Sequence, residues 1–484
     1  MPEGHGLYAL LPVGLQHLAC SVAGWRLRRQ RFDARFWRIL GDAEERGFWT
    51  SDELTAFRDD RLSAFVAHSA ESTEYYAKMF QDCGLEPQEV RSLGDLANLP
   101  ILAKAVVQDG LRNFRSRAVP RRELIAAHTS GTTGGGLRFF TTRDAIREQW
   151  AVWWRYRRWH GIPFDAWCGY FGGRSVVPAG TVHPPFWRYN VPMRQILFSG
   201  YHMSPDNLKA YVLELRRSRP PWLHGYPSLL SLLAAYLLDS SADVGYEVQW
   251  ITTGAENLLA HQKELIRRAF GVQPRQHYGL AEGVANFSEC EAGSLHVDED
   301  FSAVEFVPDH AAGAYRIIGT NFTNAATPLI RYDTGDLAQL KDGFCSCGRP
   351  GRVVESVDGR QEDYVILPNG VRIGRLDHVF KDLTWVREAQ IVQRKDRSLE
   401  VRLVPRVGEY RRHEGQLLRE LRQRVGREVR IEIAYVDFIE RTRTGKLRFV
   451  VSEAESESSM LTGRGVLKSP ETEGVEEMSG RAPK

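Results

Sequence analysis

The sequence predicts an α/β protein: a large N-terminal domain with parallel sheets and a β-rich subdomain, followed by a small α+β C-terminal domain. Three observations predict it. The length of 484 residues suits two or three domains, and 43% hydrophobic with 26% charged residues is an ordinary globular composition. Between residues 165 and 255, short apolar runs (167–171, 248–252) alternate with helical stretches (208–217, 227–238), the pattern of βα units around a parallel sheet. After Gly293 the helical spacing gives way to short strands and turns, as at 302–307 and 314–318.

Each element follows in order. Residues 34–118 read as mostly helical, with apolar side chains at helical spacing across 32–70. Residues 142–160 form an aromatic-rich helix, whose stripe of Trp150, Trp153, Trp154, Tyr156 and Trp159 reads as core. The segments 371–380, 389–394, 399–404, 414–425 and 429–436 make a compact α+β unit. The expected division is an N-terminal domain over 1–358, its helical part at 1–120, a C-terminal domain over 359–452, and a tail at 453–484. That tail is rich in Ser, Glu and Gly with almost no aromatics, a composition that predicts disorder.

Charge and cysteine content narrow the function classes. A net charge of +3 argues against a dedicated nucleic-acid binder. The arginine clusters at 26–31 and 155–158 read as solvated helix faces. Six cysteines in so long a chain do not make a disulfide scaffold, and Cys20, Cys83 and Cys168 read as core thiols. Residues 7–25 are mildly apolar and are followed by arginines, but they hold Pro12, Gln16 and His17, no basic segment precedes them, and no small-residue cleavage site is clear. They predict an amphipathic helix that packs on the body or makes weak contact with a membrane surface. A cytoplasmic location follows.

The run Thr129-Ser130-Gly131-Thr132-Thr133-Gly134-Gly135-Gly136 follows a short apolar stretch. Glycines let the backbone turn tightly, and consecutive N–H groups then form a concave nest for an anion. The hydroxyls add donors that rotate to suit phosphate oxygens. No Gly-Lys-Ser/Thr follows, so the loop is not a Walker A motif.

Further motifs follow in order: Tyr278-Gly279-Leu280-Ala281-Glu282, Arg331-Tyr332-Asp333-Thr334-Gly335-Asp336, Gly359-Arg360-Gln361-Glu362-Asp363 and Arg441-Thr442-Arg443-Thr444-Gly445-Lys446. Together with the glycine loop they resemble the signature motifs of the adenylate-forming superfamily over residues 85–450. The segments at 11–16, His224 to Ser228 and Gly254-Ala255-Glu256 resemble the phenylacetate–CoA ligase-like group, with its CapK-type proteins and coenzyme F390 synthetases.

That resemblance implies an ATP-dependent acid–thiol ligase, AMP-forming, that makes an acyl-adenylate and passes the acyl group to coenzyme A. Two alternatives stay open: AMP transfer to a hydroxyl, as in the F390 synthetases, or a CapK-like polysaccharide-biosynthesis protein with another acceptor. It implies that Thr129, Ser130, Gly131, Thr132, Thr133 and Gly134 cradle phosphates. Gly254, Ala255, Glu256, Tyr278 and Gly279 flank the adenine, and Asp336 binds the ribose. Glu282 holds Mg²⁺ and Arg360 reaches ribose or phosphates. Glu362 is the hinge of a mobile C-terminal lid, and Lys446 bridges the substrate carboxylate and α-phosphate. The family's usual Pro-Lys after the glycine loop is replaced by Leu137-Arg138, so Arg138 is the candidate substitute charge. The acyl pocket is expected near His224, Tyr226, Pro227, Ala255 and Tyr278, with Phe171, Gly172 and Arg174.

A second constellation is Cys290, His296, Cys345 and Cys347, a Cys₃His set on turn-rich segments. Soft ligands in this number suit structural Zn²⁺, although the Cys-x-Cys spacing is tight.

Overall fold

The structure, a computed structural model, describes residues 5–129, 137–174, 176–178, 181–204, 206–310, 312–341, 343–360, 365–367, 372–373, 376, 386–405, 414–426, 428–440 and 447–453. Six helices lead: α1 (His5–Leu10), α2 (Val13–Arg31), α3 (Ala34–Arg46), α4 (Ser51–Ser72), α5 (Glu74–Cys83) and α6 (Lys104–Phe114). Local chemistry sets their ends. Thr50 and Glu53 form a reciprocal capping box at the start of α4. Gly84, at φ 64°, closes α5 in the left-handed region that glycine adopts without strain. Among the described residues no helix is long and apolar enough to cross a membrane. Cys83, read from sequence as a core thiol, is exposed at the end of α5, whereas Cys20 and Cys168 are buried.

The hairpin β1 (Ile125–His128) and β2 (Arg138–Thr141) comes next, then α7 (Arg143–Trp159), capped by the Thr142 hydroxyl on the Ala145 N–H at 3.2 Å. The βα region holds β3 (Cys168–Gly172), β4 (Trp187–Asn190), β5 (Gln195–Ser199), α8 (Leu208–Ser218), β6 (Trp222–Gly225), α9 (Pro227–Asp239), β7 (Trp250–Thr253), α10 (Ala260–Phe270) and β8 (Arg275–Gly279). Strands β9 (Asn286–Glu289), β10 (Leu295–Val297), β11 (Ala303–Asp309), β12 (Ala314–Thr320), β13 (Tyr332–Leu340) and β14 (Val353–Arg360) follow.

All but the first hairpin join one twelve-stranded sheet, in the order β11-β12-β13-β14-β10-β9-β8-β7-β6-β3-β5-β4. The expected parallel sheet is the run β5-β3-β6-β7-β8. The β-rich part is continuous with it. Strand β8 pairs parallel with β7 on one edge and antiparallel with β9 on the other. That double pairing fuses the two halves at the strand that carries Tyr278.

Helices α8 and α9 pack one core against the parallel strands, through Leu215, Leu230, Leu233 and Phe198. A second core joins α4, α5 and α6 to β2 and β13, through Phe65, Tyr76, Phe114, Phe139 and Tyr332. The C-terminal part holds β15 (Val365–Ile366), β16 (Arg372–Ile373), β17 (Val386–Gln393), β18 (Leu399–Pro405), α11 (Glu414–Val425), β19 (Ile431–Tyr435) and β20 (Val450–Ser452). Its four-stranded sheet β19-β18-β17-β20 has its own core, including Ile391, Val401, Leu403, Leu417 and Leu421.

Candidate active site

The glycine loop sits at the tip of the first hairpin. His128 pairs with Arg138, and just beyond them the Thr129 N–H donates to the Leu137 carbonyl at 2.9 Å. The Leu137 N–H returns a bond to Thr129 Oγ1 at 2.9 Å, so the neck is closed from both sides. Ser130, Gly131, Thr132, Thr133 and Gly134 lie outside the described residues. Arg138, the candidate substitute charge, is exposed at the base of β2.

The carboxyl end of β8 and the bend in β13 meet at Tyr278 and Asp336. The Tyr278 hydroxyl donates to Asp336 Oδ2 at 2.7 Å. Burial, then the Asp336 carboxylate, hold the Tyr278 hydroxyl well above the ordinary phenol range. Asp336 is only 7% exposed, and its N–H donates to Thr334 Oγ1 at 3.0 Å across Gly335, whose φ is 74°. The strand register sets Arg360 opposite Asp336, although the Arg360 side chain lies outside the described residues. After Gly279 the chain turns at once, with the Gly283 N–H on the Leu280 carbonyl at 3.1 Å. This turn delivers Glu282, which is 7% exposed, and Asn321 Nδ2 anchors its carbonyl at 3.0 Å. Gly279 is required for packing. A β-carbon there would lie 2.6 Å from Asn286 Oδ1, which already accepts from Trp153 Nε1 at 2.9 Å.

Gly254, Ala255 and Glu256 follow β7. A β-carbon on Gly254 would lie 2.8 Å from His277 Cε1, and Ala255 adopts φ 66°. The Glu256 carboxylate accepts from the Ser228 N–H at the start of α9 (3.2 Å) and from the Leu447 N–H (2.9 Å). The residue after Lys446 is thereby tied to the large domain beside Gly254. Lys446 and the expected hinge Glu362 themselves lie outside the described residues.

On the sheet face that α7 covers, Tyr170, His224, Thr252 and His277 occupy neighbouring strands. His224 Nδ1 bonds Thr252 Oγ1 at 2.8 Å, and the rings of His224 and His277 stack at 6.4 Å. Burial, with the Arg157 guanidinium adding to it, drives His277 down to about 3 and His224 well below its ordinary range. Both imidazoles are neutral at pH 7. Phe171, expected in the acyl pocket, points to the other side of the sheet and stacks on Phe198 at 4.5 Å. Successive strand residues face opposite ways, and a run buried on both sides hides that alternation.

Cys290, His296, Cys345 and Cys347 come together, with their ligand atoms all within 4.8 Å of one another. The Cys290 and Cys345 sulfurs are 3.7 Å apart, and Cys347 Sγ is 3.3 Å from His296 Nε2. Thiolate bonds of about 2.3 Å in a tetrahedron set sulfurs about 3.8 Å apart, so the spacing suits one four-coordinate ion. His296 Nδ1 donates to the Pro350 carbonyl at 3.1 Å, which leaves Nε2 bare toward the cluster.

The cluster at 155–158 is not a solvated face. Arg155 and Arg157 are 3% and 5% exposed. Arg155 pairs with Asp298 at 2.7 Å and Asp300 at 2.8 Å, pinning α7 to the chain after β10. The paired acidic residues after His296 were the overlooked signal for this buried network.

Known proteins resemble the chain in sequence and fold. The CapK C-terminal domain family matches residues 365–453. Protein CapK of Staphylococcus aureus is 25% identical over 456 residues, which span 92% of this chain and 98% of that protein. The phenylacetate-coenzyme A ligases of Thermus thermophilus and Escherichia coli are 25% and 27% identical, each over 66% of this chain and 73% and 74% of their own. The solved 2-hydroxyisobutyryl-CoA ligase in its postadenylation state with 2-HIB-AMP has the same fold, at TM-score 0.66 and 18% identity over 86% of this chain and 93% of that one. The chain is thus similar to Protein CapK over nearly its whole length and to phenylacetate-coenzyme A ligases over about two thirds of it, and its residues 365–453 match the CapK C-terminal domain family.

Proposed function

We propose that the protein activates a carboxylic acid with ATP and transfers the acyl group to a thiol, that of coenzyme A. A carboxylate oxygen attacks the α-phosphorus, the bond to the β-phosphate oxygen breaks, and pyrophosphate leaves. The thiol sulfur then attacks the acyl carbon, loses its proton, and AMP departs. The observation that carries this reading is the Tyr278–Asp336 pair, with Arg360 opposite Asp336 on the next strand. A buried carboxylate at the bend of β13 is an acceptor for two ribose hydroxyls.

In this reading the loop at 130–136, closed at its neck by Thr129, receives the phosphates. Gly254 and Ala255 pass along the adenine beside Tyr278. Glu282 is the carboxylate for Mg²⁺, which when bound offsets phosphate charge. Lys446, which precedes Leu447 in the sequence, neutralises the attacking carboxylate and the α-phosphate together. Residues 359–452 act as a lid that turns at Glu362 between the two half-reactions. Zn²⁺ in the Cys₃His cluster is a closed structural site that staples β9 and β10 to the turn at 345–348. ATP and coenzyme A place the enzyme in the cytoplasm.

The acceptor has a second reading. The likeness to Protein CapK spans 92% of the chain, whereas the ligase likenesses span 66%. That favours a CapK-like protein with a different acceptor for the same adenylate. Acid-dependent ATP–pyrophosphate exchange with hydroxamate trapping tests the shared first step. Exchange with no acid in the panel overturns it.

A further inference from the structure

Three arginines converge where α7 faces the parallel strands, and among the described residues none has an anionic partner. Arg157 is 5% exposed, and its guanidinium lies 4.9 Å from the Trp154 ring, 5.1 Å from Trp222 and 5.6 Å from Trp150. Arg31, at the end of α2, lies 4.5 Å from the same Trp150, and its Nη1 is buried without a hydrogen bond. Arg174, just past β3, lies 4.8 Å from the Tyr170 ring. Among the described residues none of the three guanidiniums makes an ion pair or hydrogen bond. Arg155, two residues from Arg157, holds two carboxylates.

Aromatic faces attract a cation, but they cancel no charge. Burial without a counter-ion, and for Arg31 the neighbouring Arg174, pull Arg31 and Arg157 down to about 10. The polar groups around them include the neutral His224 and His277, the Tyr156, Tyr170 and Thr252 hydroxyls and the Cys168 thiol. A site built this way is complementary to an anion.

Its position identifies the anion. Tyr278 and Gly254 stand at the carboxyl ends of their strands, whereas Trp222, against Arg157, opens β6 at the other end. The rise along β6 is roughly 10 Å. Tyr170 and His224, paired across β3 and β6, lie between those two levels.

We propose that the acid activated here carries a second anionic group, a carboxylate or a phosphate-like group, which Arg31, Arg157 and Arg174 receive at the far end of the acyl pocket. This rests on the acid-activation reading above.

Tryptophan fluorescence of the full chain reads the site directly, because three indoles surround Arg157. The probes are glutarate, 4-phosphonobutyrate and terephthalate against their singly charged counterparts valerate and 4-methylbenzoate. The expected result is saturable quenching by the dianions, at least about tenfold tighter than by the monoanions, since one buried ion pair exceeds 1.4 kcal/mol. Arg157→Met and Arg174→Met should each remove most of that preference. Arg174, half-buried just past β3, keeps the test sound if Arg157→Met fails to fold. A response only to glutarate and terephthalate, or only to 4-phosphonobutyrate, names the anion. Equal affinity for monoanions, or a preference that survives both substitutions, overturns the proposal, as does the absence of any dianion response. Pyrophosphate exchange with the same acids separates the two claims. Dianion binding without exchange leaves the arginine site standing and removes acid activation. Exchange driven equally by monoanions does the reverse.

Discussion

Replacing Tyr278 with phenylalanine probes the ribose end of the site at a single atom. The hydroxyl lost donates to Asp336 at 2.7 Å in a nearly solvent-free position. Hydrogen bonds to a charged group contribute about 1.5–3 kcal/mol. At 1.4 kcal/mol per factor of ten, the full loss corresponds to roughly 10- to 150-fold in affinity. Incoming ribose hydroxyls and water replace part of that donor. We therefore expect Tyr278→Phe to weaken ATP binding roughly tenfold and to lower stability by about 1 kcal/mol. Asp336→Asn, which removes the charge, should weaken ATP binding further. Calorimetric titration with a non-hydrolysable ATP analogue, beside denaturant unfolding of the same samples, measures both terms. If both variants lose stability but bind ATP as the wild type does, the pair is structural and the ribose assignment is wrong.

Other expectations follow from the same geometry. Burial drives His277 to about 3 and His261 to about 4, whereas both titrate near 6.5 when unfolded. The unfolded chain binds more protons below pH 6.5, so stability is complete above that value and falls as pH drops toward 4. The slope is up to ~1.4 kcal/mol per pH unit per histidine. Denaturation across pH 7 to 4 should show it, and His261→Asn should flatten it; an unchanged slope would contradict the burial of that ring. Zinc should co-purify at about one per chain, and Cys345→Ser should lower metal content and melting temperature together, because metal binding contributes folding free energy. Metal analysis of wild-type protein without zinc would end that assignment. Lys446→Ala should slow pyrophosphate exchange by about 10²–10³ with ATP binding retained. Glu256→Ala, which frees Leu447 from the large domain, should slow exchange less and leave acyl transfer from preformed adenylate intact; parallel loss of both steps would show a general defect instead.

Much of this was legible in the sequence because certain chemistries demand certain residues nearby. Helices α7 and α11 show 3.6-residue spacing, and each appears within about one residue of its expected ends. The four soft ligands are rare side chains, so Cys290, His296, Cys345 and Cys347 could be grouped before any geometry was known. What depends on distant pairing was not legible. The β-rich stretch reads as a separate subdomain, because nothing local shows that β8 pairs with both β7 and β9. Arg155 and Arg157 read as solvated, because Asp298, Asp300 and Trp222 lie far along the chain. Charge on a helix is usually exposed, and only tertiary partners reverse that rule.

The central claim is that a carboxylate oxygen of the substrate attacks the α-phosphorus of ATP. Isotope transfer tests it most directly. An acid that supports exchange is prepared with heavy oxygen in its carboxylate and turned over with ATP and coenzyme A. The AMP is then weighed by mass spectrometry. The account predicts one heavy oxygen in each AMP, because the bridging oxygen of the adenylate stays on phosphorus when the thiol attacks the acyl carbon. AMP formed from that acid without the label would contradict it.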